Sequence, residues 1–92
     1  MEEIIIDCSP IRTKDDLHRM FRDALSFPDW YGNNLDALYD CLTDCTGKVR
    51  ILNWEIAEGN LGNYGTKVKK VIAAAALHNT ALDLYIDRKS VV

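Results

Sequence analysis

Three short runs of strand-forming residues, EIIID at Glu3 to Asp7, VRILNW at Val49 to Trp54 and LDLYI at Leu82 to Ile86, are separated by stretches far too long for hairpins. Strands spaced like this pair in parallel, because a parallel connection must run the length of the sheet and return, usually through a helix. Such crossovers are right-handed. The first run is almost continuously apolar, as in a strand covered on both faces. The last alternates, Leu82, Leu84 and Ile86 against Asp83 and Tyr85, as in a strand at a sheet edge. The predicted architecture is therefore α/β: one small domain with a three-stranded parallel sheet covered by helices.

The intervening stretches supply those helices. Thr13 followed by Asp16 reads as a helix start, and Leu17, Met20, Phe21, Ala24 and Leu25 recur at helical spacing behind it. Phe27 to Gly32 breaks that helix, since Pro28 resists a helix interior and Gly32 permits a turn. A second helix begins at Asn33 or Asn34 and runs to about Thr43. After the middle strand a short irregular or helical piece ends near Gly59 to Gly62. A third long helix, Thr66 to His78, carries Val68, Val71, Ile72, Ala75 and Ala76 on one side, with Asn79 as its stop.

The 92 residues, 48% hydrophobic and 27% charged, suit one globular domain spanning residues 1–92 rather than a disordered chain. No run approaches the roughly 20 apolar residues that cross a bilayer, and the acidic start MEEIIID is unlike a secretion signal. A cytoplasmic location without membrane association is expected. Cys8, Cys41 and Cys45 lack the spacing of a disulfide framework, as expected of thiols kept reduced.

The net charge of −3 is mild but unevenly spread: Asp23 to Gly47 holds five acids and no Lys or Arg. On a helix, Leu38, Cys41, Leu42 and Cys45 fall within about 100° of one another, while Asp36, Asp40 and Asp44 form a stripe on the side away from them. Adjacent pairs in the stripe are like charges at i,i+4, unfavourable by roughly 0.2–0.5 kcal/mol each. With Asn33 as N-cap, Asp36 is the third helical residue, where a carboxylate favours the helix dipole. Helix stability explains neither Asp40 nor Asp44. Trp30, Tyr31 and Tyr39 lie beside the stripe, and Trp and Tyr are frequent interface anchors. Acids flanked by aromatics suit a cationic partner and oppose nucleic acid.

The segment PDWYGNNLDALYDCLT, Pro28 to Thr43, closely resembles the signature of the barstar family, P-x-x-Y-G-x-N-L-D-A-L-x-D-C-L-T. The likeness extends upstream through Ile11, Arg12, Asp16, Leu17 and His18, covering about residues 11 to 43. It implies a three-stranded parallel sheet with packed helices. It also implies inhibition of a small, basic, guanyl-specific ribonuclease of barnase-like, extracellular type by a protein that is monomeric when free and is not itself an enzyme. By motif position the partner-binding surface would comprise Trp30, Tyr31, Gly32 and Asn34 from the loop. Leu35, Asp36, Tyr39, Asp40, Thr43 and Asp44 would follow from the second helix. The resemblance places Asp40 at the centre, in the position of a substrate phosphate, with Asp36 one turn away and Trp30 stacked on a catalytic histidine.

The departures from that pattern are specific. Cys45 stands where an aromatic is expected, Gly47 and Lys48 where a proline is expected, and Asp44 where glycine is expected. Lys67 to His78 holds no acid, although the pattern implies one near Ala74. The alternative reading keeps the scaffold but makes it an acidic interaction module regulating another basic protein, since fold does not fix function. Catalytic, metal and cofactor chemistry are not expected. Cys41 and Cys45 offer two ligands where zinc normally takes four. A thiol hydrolase built on Cys8 or Cys41 has no recognisable partner base. His18 reads as a structural histidine, and Gly59, Gly62 and Gly65 follow no strand directly, so they make no phosphate loop.

Overall fold

The computed structural model describes residues 3–87. In chain order the elements are β1 (Glu3–Asp7), α1 (Lys14–Leu25), α2 (Leu35–Thr43), β2 (Gly47–Leu52), α3 (Trp54–Leu61), α4 (Asn63–His78) and β3 (Leu82–Ile86). The strands pair in the order β1-β2-β3, all parallel, with Ile6 opposite Ile51 and Val49 opposite Leu84. The expected parallel sheet and edge strand are both present, and the fold is that of a small α/β domain.

Helices cover one face of this sheet, not both as the apolar run at Glu3 to Asp7 led us to expect. Ile6, Val49, Ile51, Leu82 and Leu84 point inward and are buried with Leu17, Phe21, Leu38, Leu42, Trp54, Val68 and Ile72. The alternate residues point the other way, and there Ile5 is half exposed. Around it the outer face is polar. The Tyr85 hydroxyl donates to Glu3 at 2.9 Å and accepts from Arg50 Nε at 3.0 Å, while Arg50 also lies 3.5 Å from Glu3 and 3.8 Å from Asp87. A cross-strand polar network thus lets a parallel sheet face water.

Local chemistry sets the element ends. Thr13 and Asp16 form a reciprocal capping box at α1, each backbone N–H donating to the other's side chain at 3.1 Å. The middle strand ends at Leu52 rather than Trp54. Asn53 turns into the left-handed region at φ 58°, and its amide donates to Asp7 at 2.9 Å. Trp54 consequently opens α3 and is buried. The following helix starts at Asn63, three residues before the expected Thr66, because Gly62 at φ 61° and ψ −129° makes the corner between α3 and α4. Gly65 then lets the helices touch: a Cβ there would lie 2.9 Å from Glu58 Cα.

Candidate protein-binding face

The loop between α1 and α2 is held from beneath. Phe27 and Tyr31 are buried with ring centroids 4.9 Å apart. The Tyr31 hydroxyl meets His18 Nδ1 at 2.6 Å, and His18 Nε2 meets the Tyr64 hydroxyl at 2.7 Å. His18, itself buried, therefore joins α1, the loop and the first turn of α4. Burial lowers its pKa, partly opposed by the Asp15 charge, so the neutral ring donates through one nitrogen and accepts through the other. Burial likewise pushes the Tyr31 phenol upward. The side chain of Tyr31, placed in the binding surface by motif position, is thus mostly packed into the core, with a remaining edge on the groove between the loop and α2. Its hydroxyl finds its partner inside, which is why the ring turns in.

That anchorage leaves the neighbouring Trp30 outside, 82% exposed. The helix that follows is capped by Asn34, not Asn33: the Asn34 carbonyl oxygen accepts from Ala37 N–H at 2.8 Å and its amide donates to Gly32 O at 3.2 Å. Asn33 instead takes the left-handed conformation at φ 53°. Asp36 is consequently the second helical residue, still in the first turn, where the helix dipole favours its charge.

Along α2 the buried side chains are Leu38 and Leu42, with Leu35, Ala37, Tyr39 and Cys41 half-buried beside them. Asp36, Asp40 and Asp44 are all exposed, and among the described residues none of the three is ion-paired. Thr43 Oγ1 donates to Asp40 O at 2.8 Å, and Asp44 forms the C-cap. A groove of about 510 Å³ lies between the loop and the helix, lined by Trp30, Tyr31, Gly32, Asp40, Thr43 and Asp44 among others. On the far side of Trp30 a second groove, about 390 Å³, is bordered by Leu25, Phe27, Pro28 and Cys45. The loop residues therefore share one face with Asp40 and Asp44, the indole bordering both grooves, and Asp36 stands exposed one turn before Asp40.

The C-terminal end of α2 is fastened by a residue that sequence reasoning treated only as a helix stop. The Asn79 amide donates to Leu42 O at 3.0 Å and Cys45 O at 2.6 Å, while its own carbonyl accepts from Ala81 N–H at 3.1 Å. Nearby, the Tyr39 and His78 rings meet edge to face at 6.2 Å, so α2 and α4 lie side by side. Tyr64 and Asn79 gave no distinctive signal, since their partners are remote in sequence.

The thiols serve packing. Burial pushes Cys8 up to about 12, helped by the charges of Asp7 and Glu55. Cys41 and Cys45 are also raised, by burial first and then by neighbouring groups that include Asp44, and Cys45 donates to Cys41 O at 3.1 Å. Thiols held protonated are poor nucleophiles and poor ligands. Among the described residues no three His, Cys, Asp or Glu side chains cluster as a metal site, and no helix is long and apolar enough to cross a membrane.

The domain is thus a parallel α/β fold that presents a short acidic helix and an exposed tryptophan, with His18 and Cys8 buried. The chain belongs to the barstar family: the model for that family, "Barstar (barnase inhibitor)", matches residues 1–86. The "Putative ribonuclease inhibitor YrdF" of Bacillus subtilis (strain 168) is 42% identical to it over 78 residues, 82% of this chain and 86% of that protein. The family is one of inhibitors rather than enzymes. Its match reaches well beyond the region of motif likeness and takes in all three strands.

Proposed function

We propose that this protein is a ribonuclease inhibitor whose target is a small, basic, guanyl-specific nuclease of the barnase type. Helix α2 and the loop from Pro28 to Asn34 enter the nuclease's active site and their carboxylates occupy the places of substrate phosphates. The observation that carries this reading is the stripe of Asp36, Asp40 and Asp44, exposed and unspent on internal ion pairs. Asp40 is its centre, accepting charge-assisted hydrogen bonds from the enzyme's arginines and histidine, which are shorter and stronger than neutral ones. Trp30 stacks on the catalytic histidine. Gly32 and Asn34 fix the loop, and Tyr31 supports it through His18. Leu35, Tyr39, Thr43 and Asp44 complete the contact. The inhibitor works as a monomer in the cytoplasm, against a nuclease otherwise exported.

The test is a titration of barnase activity with the protein, which should fall to zero at one-to-one stoichiometry. An adaptor for some other basic protein would leave the activity unchanged. Asp40→Ala should leave folding nearly intact, because Ala is the better helix former and two like-charge pairs disappear. Binding should weaken by about 2–5 kcal/mol, mainly through faster dissociation, a range drawn in large part from this family's own complexes. Undiminished binding by Asp40→Ala would remove the phosphate-mimic role.

A further inference from the structure

The α4 face beside the acid stripe has the opposite sign. Asn63 to His78 contains no acid and three lysines, Lys67, Lys69 and Lys70. The His78 ring meets Tyr39 on α2. Eleven residues are close to three helical turns, so Lys67 lies within about 20° of His78 around the helix. Lys67, Val71, Ala74 and His78 thus make one row, its His78 end against Tyr39 of α2 and its Lys67 end toward the loop before α2, with Lys70 bordering it on the solvent side. Lys67 and Lys70 are exposed, and among the described residues neither is ion-paired.

The first turn of α4 is also close to the start of α2, because Tyr64 reaches Tyr31 through the shared His18. Lys14 sits over the Tyr64 ring, 4.6 Å from its centroid, and brings a third cation to that end. Lys67 and Lys70 therefore lie on the flank of α4 that runs from the loop before α2 to Tyr39, and among the described residues neither is paired with an acid of the stripe. We infer that the binding face is bipolar, and that the cognate nuclease carries carboxylates on the part of its rim facing Lys67 and Lys70, beside the cationic active site that receives α2. The inference rests on the reading of α2 as the nuclease-binding helix. It adds a determinant of which nuclease is recognised, since like charges brought together across an interface are rejected.

The experiment uses barnase as the probe. Against a cationic rim the two lysines repel, so Lys67→Glu/Lys70→Glu should raise the association rate about threefold or more at low ionic strength, with the gain vanishing near 1 M salt. Single Lys→Glu and Arg→Glu reversals around the barnase rim, outside its active site, should include at least one that tightens binding to the parent. The same reversal should weaken binding to the double variant. If the double variant matches the parent at every salt concentration, or no rim reversal shows that crossover, the bipolar face is refuted while inhibition stands. If the parent does not inhibit barnase at all, the nuclease reading fails and this inference fails with it.

Discussion

Asn79→Ala should be among the most damaging single substitutions outside the hydrophobic core, although Asn79 is a half-buried polar residue. The last carbonyls of a helix have no intrahelical partner. Here Leu42 O, which also accepts the Cys45 N–H, and Cys45 O just beyond the helix receive the Asn79 amide at 3.0 and 2.6 Å, while the Asn79 side-chain carbonyl receives Ala81 N–H at 3.1 Å. At about 0.5–1.5 kcal/mol net per bond, three bonds amount to roughly 1.5–4.5 kcal/mol, and water reaching the vacated site returns part of it. We expect a loss of about 2–3 kcal/mol, which for a domain this size lowers Tm by about 8–24 °C. Differential scanning calorimetry and urea titration would both read it, with an unchanged denaturant slope showing that the native fold persists. Asn79→Asp should cost at least as much, because a carboxylate keeps the acceptor but turns two donor contacts into repulsion. A Tm within about 2 °C of the parent for both variants would refute the role of Asn79 as the tether between α2 and α4.

Two further outcomes follow from the packing. Because burial depresses the His18 pKa below its ordinary 6.5, the unfolded chain protonates first as pH falls. The stability of the neutral form is therefore complete above pH 6.5 and is progressively lost below it. His18→Gln, which keeps a donor and an acceptor, should flatten the urea-derived stability curve just below pH 6.5, and an unchanged slope there would exclude His18 as its source. The carboxylates of Asp7 and Asp16 lie below their ordinary 3.8, so their contributions are lost only in more acid solution. Gly65→Ala gains helix propensity worth about 1 kcal/mol but drives its Cβ to 2.9 Å from Glu58 Cα. Overpacking of about 1–3 kcal/mol should outweigh that gain, and a raised Tm would show that α3 and α4 can separate cheaply.

What the sequence disclosed depended on the range of the interaction. Periodicity is local, so the three strands, α1 with its Thr13–Asp16 box and the acid stripe are all legible in the sequence. Boundaries failed where one residue's conformation decided them. Nothing in VRILNW signals that Asn53 leaves the strand at φ 58° and sends Trp54 into a helix, and Asn34 rather than Asn33 became the cap through its bond to Ala37. Ile5 shows the limit of composition. A continuous apolar run reads as two covered faces, yet the Glu3–Arg50–Tyr85 network that faces the other way joins residues from all three strands. Of the candidate surface, Trp30 and the three aspartates are exposed, whereas Tyr31 is taken inward by partners 13 residues away and beyond. The motif contains the tyrosine but not the histidine and second tyrosine that decide its direction.

These long-range bonds explain how the fold tolerates α2. The helix is short, carries like charges a turn apart and has no basic residue in its last turn, so its own sequence stabilises it poorly. Asn34 closes the first turn, the Tyr31–His18–Tyr64 chain fixes the loop before it, and Asn79 holds the last turn, with Leu38 and Leu42 buried between. None of these tethers uses the carboxylates. Each aspartate therefore stays hydrated and free to pair with a partner, while the backbone carrying it is already ordered. A preordered binding element loses less entropy on association, so more of each contact appears as affinity. Weakening a tether and deleting a carboxylate should then differ in kind: Asn79→Ala lowers stability first and affinity through it, whereas Asp40→Ala lowers affinity alone.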